Sequence, residues 1–381
     1  MKKVSYQKAT KRSHNERECS HDQSEFKKDQ SRILYSIASR ISAGKTQVLP
    51  VNDCCFLPRT RMQHMQEVAE TSYRIAKKLG LHSDTARAIG LGHDLGHTIG
   101  GHAGEFALSE IYKQNNFSPI IFSHDKQLIH VVTNLEKIKK GFSGLNLTQF
   151  TLDSFKARSD RGIIKMINSG QERYKIDSQL SHILDTLEGQ LVEVVDKMVY
   201  IVHDIEDAIR FNLIKIKDIA NLPCFCSNLW KKINENINVA KSKSETNLVI
   251  SEIKRQLYYY FFNSIIENCK HINNELDPKS YYYVSEKIIA FTDTVSDDFM
   301  NLKKFMYENI YQGKYCLERD QIFKDKIHFL FDRLMSDKKL RQRVNIWQYQ
   351  WPKETPDHAQ VTDLIWSLTE HMADQIILKI K

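Results

Sequence analysis

Apolar residues that return every three or four positions run through most of this chain, and that spacing places them on one side of a helix. Between residues 62 and 79 the set Met65, Val68, Ala69, Ser72, Ile75, Ala76 and Leu79 shares a helical face. Gly80 follows, where a helix C-terminus favours glycine. Asp84 reads as the N-cap of a second helix with Ala86, Ala88, Ile89 and Leu91 inside it, running into Gly92-His93-Asp94. A third helix is expected over residues 184–211, its core face formed by Leu187, Leu191, Val194, Val195, Met198, Val202, Ile205 and Ile209. Residues 245–311 and 320–381 read as further amphipathic helices, separated by turn signals at Asp277-Pro278, Gly313 and Pro352 to Pro356. Only 14 Gly and 7 Pro interrupt the 381 residues. No stretch alternates as a strand would, so the expected fold class is all-α.

Residues 1–30 are polar and charged, as in Lys11-Arg12-Ser13-His14-Asn15-Glu16-Arg17, and have too few apolar groups to pack by themselves. They read as an arm that orders only against something else. No run approaches the roughly 18 apolar residues of a membrane span. The first residues carry charge but no apolar stretch after it, so no secretory signal is expected and the expected address is cytoplasmic. Seven cysteines, among them Cys54-Cys55 and Cys224-Phe225-Cys226, lack the spacing of a disulfide framework or a zinc ribbon and read as structural thiols. Lys241-Ser242-Lys243-Ser244 reads as an exposed loop. With 55 basic against 47 acidic residues the net charge is +8, which favours polyanionic partners without choosing among them.

The chemistry lies where ionisable residues interrupt the most apolar helices, because buried charge is costly unless it is paired or bound to a metal. His64 lies on the first helix, His93 and Asp94 end the second, and Asp196 stands within Val194-Val195-Asp196-Lys197-Met198 of the third. Two imidazoles and two carboxylates suit a divalent metal and leave positions open for water or substrate oxygens. The segment from His93 to Glu105 then packs three histidines, an Asp, a Glu and four glycines into thirteen residues. Its glycines permit close backbone approach to a ligand, while His97, His102 and Glu105 offer acid, base and phosphate-binding groups. Asp196, Tyr200 and Asp204 follow at four-residue steps, so a candidate ligand shares its helix face with a phenol and a second carboxylate. Lys197, beside Asp196, is a candidate phosphate contact. The aromatic runs at residues 258–262 and 281–283 suit packing better than base stacking.

These residues carry a resemblance. His64, His93-Asp94 and Asp196 resemble the H…HD…D signature of the HD phosphohydrolase superfamily, and the longer segments resemble its dGTP triphosphohydrolase-like family. The matching segments are Lys45-Thr46-Gln47-Val48, Arg59-Thr60-Arg61-Met62-Gln63-His64, residues 93–105, and Asp196, Tyr200, His203, Asp204, Glu206 and Asp207. Where the family usually has Pro-Pro-Phe-Gly, this chain has Thr98-Ile99-Gly100-Gly101. That loop shapes the pocket, so the departure bears on substrate preference more than on reaction type.

The resemblance implies an HD-domain helical bundle over residues 31–215, with a helical C-terminal region, 216–381, packed on it. It implies one divalent metal (Mn, Mg, Fe, Ni, Co or Zn) on His64, His93, Asp94 and Asp196. It also implies hydrolysis of a deoxynucleoside triphosphate, dGTP foremost, to deoxynucleoside and tripolyphosphate. His102 with Glu105 would be the acid/base dyad, His97, His124 and Arg61 would meet the phosphates, and Tyr200, Asp204 and Gln47 would receive the deoxyribose. A homo-oligomer and a nucleotide or single-stranded DNA effector are expected on the same ground. Two other readings compete: an HD-superfamily nucleotidase or phosphodiesterase, and a nucleic-acid-binding helical protein with weak catalysis, to which the +8 charge and the basic arm would belong.

Overall fold

The computed structural model describes residues 1–16, 24–47, 59–118, 121–167, 183–220, 222, 243–277 and 279–380. Cys54, Cys55, Cys224 and Cys226 lie outside the described residues, as do Lys241, Ser242 and Pro278. The described residues are mainly helical, as the spacing predicts. Among them, no helix is long and apolar enough to cross a membrane.

Three helices position the site. The first, α3 (Arg61–Lys78), starts where the Thr60 hydroxyl accepts from the Gln63 amide and ends with Lys77 and Lys78 in its last turn. Helix α4 (Ser83–Gly92) packs against it at close range: a Cβ on Gly90 would stand 2.6 Å from the Ala69 Cα. Asp84 falls in the first turn of α4 rather than at its cap, which is His82. The Asp84 backbone carbonyl accepts instead from Gln30 of α1 (Glu25–Leu34), a helix that packs on α4. Helix α8 (Leu187–Arg210) crosses α3 and α4, capped by the Thr186 hydroxyl accepting from the Gly189 amide at 2.8 Å. Arg59, just before α3, pins that helix to α8. It donates to Asp207 at 2.8 Å and pairs with Glu206, so these carboxylates are buried and paired rather than solvated.

A second layer closes over the first. Helix α5 (His102–Gln114) buries Ala103, Ala107, Leu108 and Ile111 against α11 (Lys314–Ser336) and α13 (Asp357–Trp366) in a hydrophobic cluster of its own. Helices α6 (His124–His130) and α7 (Gln149–Ile167) pack together beside it. Further helices include α2 (Ile37–Ser42), α9 (Lys243–Cys269), α10 (Asp293–Met306), α12 (Lys338–Val344) and α14 (Glu370–Ile380). Lys243 and Ser244 open α9, so that half of the expected loop is helical.

Contrary to the sequence expectation, strands are present. β1 (Lys2–Ser5) and β2 (Asp185–Thr186) both pair antiparallel with β3 (Ser280–Val284), with Lys2 opposite Tyr283 and Ser5 opposite Ser280. The aromatic run that makes β3 buries Tyr281 against Phe26 and Phe150. The first residues therefore order against the body of the protein. Arg12 reinforces this, donating to the buried Asp29 at 2.6 Å while Asp29 also accepts from the amide and hydroxyl of Thr148. A strand that pairs with a segment some 280 residues away leaves no local period to read.

The α3–α4 crossing sets where His64 and His93 meet. Gly90→Ala puts a methyl into the Ala69 backbone, and overpacking of this kind costs about 1–3 kcal/mol. The urea midpoint of the variant should fall by a corresponding amount; an unchanged midpoint would mean that the helices part freely.

Candidate active site

Four buried or half-buried side chains converge where α3, the end of α4 and α8 meet. His64 Nε2 stands 3.0 Å from Asp196 Oδ1. His93 Nε2 stands 3.5 Å from both Asp94 Oδ1 and Asp196 Oδ1. The His93 Nδ1 lies 2.8 Å from the Gly90 carbonyl, which only accepts, so Nδ1 carries a proton and Nε2 is the atom turned toward the carboxylates. That Nε2 is buried and has no hydrogen-bond partner. Burial alone would lower the His93 pKa, yet Asp94 and Asp196 raise it, so this nitrogen and the two carboxylate oxygens call for a proton or a metal ion between them. Donors at about 2.0–2.2 Å from one ion stand about 3.0–3.5 Å from each other. The observed separations fit a divalent ion, and His64, His93 and Asp94 also group as a possible metal set by proximity alone.

Two guanidiniums brace this group. Arg61 donates to Asp94 Oδ2 at 2.9 Å, and Arg158 of α7 donates to Asp196 Oδ2 at 3.0 Å and Asp125 Oδ1 at 3.2 Å. Burial pushes the Asp94 carboxyl up, but His93 and Arg61 outweigh it and hold the group down at about 2. Asp196 is likewise held well below the usual carboxylate range by His93 and Arg158, against its burial.

Beside the ion-binding group lies a histidine cluster on the first turns of α5 and α6. Glu105 accepts from His102 Nδ1 at 3.0 Å, and from the Nδ1 and backbone amide of His124 at 2.9 and 3.0 Å. His97 stacks on His124 with ring centroids 3.8 Å apart, and neither of its ring nitrogens has a hydrogen-bond partner. Burial alone would lower the His124 pKa, yet Asp125 and Glu105 raise it to about 9. Glu105 is held well below its usual range by His124 and His102, despite burial. His97 is pushed well below its usual value by burial and by Arg61. The cluster thus contains a cation, an anion and a neutral imidazole. His102, whose side chain is 79% exposed, stands at the lip.

Both groups open into one cleft of about 640 Å³, within the range of about 300–1,000 Å³ common for small-molecule sites. Gln47, Arg61, Lys197, Tyr200 and Asp204 line it, so the sequence-named residues meet around a single cavity. Lys197 is engaged by Glu193 at 2.8 Å, and Gln47 Oε1 is buried without a partner. The wall facing Tyr200 comes from the C-terminal region, chiefly Lys303, Tyr311 and Arg319. The Tyr311 hydroxyl donates to Asp204 Oδ2. Burial raises Asp204 to about 7 even against that hydrogen bond.

Residues 61–201 match the HD domain family, and residues 289–377 match the family described as phosphohydrolase-associated domain. Curated relatives cover nearly the whole chain. A deoxyguanosinetriphosphate triphosphohydrolase-like protein of Rickettsia bellii is 30% identical over 357 residues, 92% of this chain and 90% of the relative. One from Ralstonia pickettii is 31% identical over 87% of this chain and 81% of its own length. One from Leptospira interrogans is 29% identical over 92% and 88%. The chain belongs to the deoxyguanosinetriphosphate triphosphohydrolase-like family of HD-domain proteins.

As an HD-domain phosphohydrolase it divides the cleft between its two matched regions. The HD match contains His64, His93, Asp94, His102, Glu105 and Asp196, and the phosphohydrolase-associated match contains Lys303, Tyr311 and Arg319. Sequence reasoning missed that second set and also Arg158. Arg158 had a usable signal, a charge next to Ala157 and Phe155 on an apolar helix, the anomaly that singled out Asp196. Tyr311 and Arg319 had none, since aromatic and charged residues are ordinary on amphipathic helices.

His124 bears on pH dependence. Its folded pKa, about 9, lies above the unfolded value of about 6.5. The ion pair's contribution to stability is therefore fully present below about pH 6.5 and is lost as pH rises through about 9. NMR titration of the His124 ring should show a midpoint near 9 in the native chain. In Glu105→Gln the midpoint should drop; equal midpoints in the two proteins would show that Glu105 does not hold the charge.

Proposed function

We propose that this protein hydrolyses deoxynucleoside triphosphates, dGTP foremost, to deoxynucleoside and tripolyphosphate. The observation that carries the reading is the shared cleft: Asp94 and Asp196 of the ion-binding group and His97, His102 and His124 of the histidine cluster line one cavity with Tyr200, while His64, His93 and Glu105 stand directly behind them. The names of the relatives cited above point the same way. His64, His93, Asp94 and Asp196 would hold the divalent ion. When bound, that ion supplies Lewis-acid polarisation of a phosphate oxygen and lowers the pKa of water.

The chain's own groups do the rest. In the net reaction the water oxygen bonds to the α-phosphorus, the bond from that phosphorus to the 5′-oxygen breaks, and the 5′-oxygen takes up a proton. His102, oriented by Glu105, is the proton donor to that oxygen. The His124 cation and Arg61 face the phosphate charge, with neutral His97 as a further contact and Lys197 as an outer one. Tyr200 packs under the sugar and leaves no room for a 2′-hydroxyl, while Gln47 and the oxygen of Asp204 not taken by Tyr311 turn toward the 3′-hydroxyl.

Two experiments test this. Metal-reconstituted protein incubated with each dNTP should release deoxynucleoside and tripolyphosphate. His64→Ala should abolish the release together with metal binding. His102→Ala should lose roughly 10²–10⁴-fold in turnover with metal content unchanged. Release of monophosphate or inorganic phosphate would instead assign the chain to another HD chemistry. Separately, Tyr200→Ala should raise GTP turnover relative to dGTP; a constant ratio would remove Tyr200 from the sugar site.

A further inference from the structure

The loop between His97 and His102 carries two adjacent glycines, Gly100 and Gly101, with φ +71° and +59°, of which Gly100 departs from the Pro-Pro-Phe-Gly pattern. Each leaves a notch that another residue fills. A Cβ on Gly101 would stand 2.3 Å from Arg61 Nη2. A Cβ on Gly100 would stand 2.5 to 2.8 Å from the Cγ, Cβ and Cδ1 of Phe323 on α11. Phe323 is buried in this seat, and the Arg319 guanidinium, one turn earlier on α11, lies over its ring at 4.9 Å from the centroid.

That seating brings Arg319 to the cleft. Its Nη1 donates to Asp320 at 3.1 Å, its Nη2 donates weakly to Thr46 Oγ1 at 3.4 Å, and its Nε is buried with no partner. Arg61 lines the same cleft. Two guanidiniums on one stretch of cleft repel each other until an anion lies between them. The Asp94 carboxylate that answers Arg61 is also a donor to the ion-binding group, so it does not neutralise both cations. Asp320 pairs with one corner of Arg319, and a polyphosphate can take the side left open at Nε, since guanidinium forks match its oxygens.

We propose that Arg319 is a second phosphate-binding guanidinium, contributed by the C-terminal region and seated by Phe323 in the notch at Gly100. The inference rests on the reading of the substrate as a nucleoside polyphosphate. It gives the loop departure a physical use: losing a side chain at residue 100 admits one from α11, and a cation arrives with it.

The test is calorimetric titration of the full, metal-reconstituted chain with inorganic tripolyphosphate, alongside KM for the four dNTPs. Arg319→Met should weaken tripolyphosphate by roughly ten- to a hundredfold, the range of a hydrogen bond to a charged group. Arg319→Lys should restore part of the loss. KM should rise by the same factor for every base, with unchanged products. Phe323→Leu, which keeps the notch and a buried apolar side chain, should weaken tripolyphosphate in the native background and add little on top of Arg319→Met. An unchanged affinity in Arg319→Met, no tripolyphosphate binding by the native chain, additive effects of the two substitutions, or a KM increase confined to one base would each overturn the proposal. Tripolyphosphate binding that depends on Arg319 in a protein releasing none from dNTPs would instead leave Arg319 in place and reject the proposed reaction.

Discussion

The architecture depends on holding lone pairs and negative charge against one another inside an apolar body. His64, His93, Asp94 and Asp196 bring their donor atoms within about 3.0 to 3.5 Å of neighbours. Such a group is tolerable only with compensating cations. Arg61 and Arg158 supply part of this from the protein, each bonded to one carboxylate of the group. The apolar faces of α3, α4 and α8 supply the rigidity. Their burial, and the close crossing at Gly90, keep four donors from three helices in register, which no single helix could do.

Electrostatics then separate the chemical roles within a small volume. His97, His102 and His124 lie within a few ångströms of one another, yet their surroundings differ. Glu105 and Asp125 keep His124 charged; burial near Arg61 keeps His97 neutral; exposure leaves His102 in water with one nitrogen on Glu105. Sites that need a donor, an acceptor and a cation at one pH are built in this way, by environments that push like groups apart. Glu105 is the hinge of the arrangement, because its two oxygens serve both rings and the α6 backbone.

The C-terminal region is part of the site as well as a support. It shares a hydrophobic cluster with α5, the helix that carries His102 and Glu105, and Phe323 of that cluster carries Arg319 to the cleft, while Tyr311 packs against the larger cluster. Buried Lys45 ties the two regions at the backbone, donating to the carbonyls of His97 and Trp366 at 2.7 and 2.6 Å.

Much of this was readable in one dimension. The extents of α3, α4 and α8 followed from three- and four-residue apolar spacing, because helix hydrogen bonds close within four residues and leave their period in the sequence. Asp94 and Asp196, which face the cleft, and His64 and His93 behind them stood out as ionisable groups where charge is costly. The β1–β3 pairing, the Arg12–Asp29 ion pair and the burial of Glu206 and Asp207 by Arg59 were invisible, since each joins segments far apart in the chain. The hydrogen bond from Tyr311 to Asp204 and the seat of Phe323 on Gly100 were hidden for the same reason. By itself, the sequence determined the helices α3, α4 and α8 and which polar residues must be buried among them, because both follow from local periodicity and the cost of desolvation. Which cations answer those charges, and which far-off side chains complete the cleft, was decided only by tertiary packing, where proximity owes nothing to order along the chain.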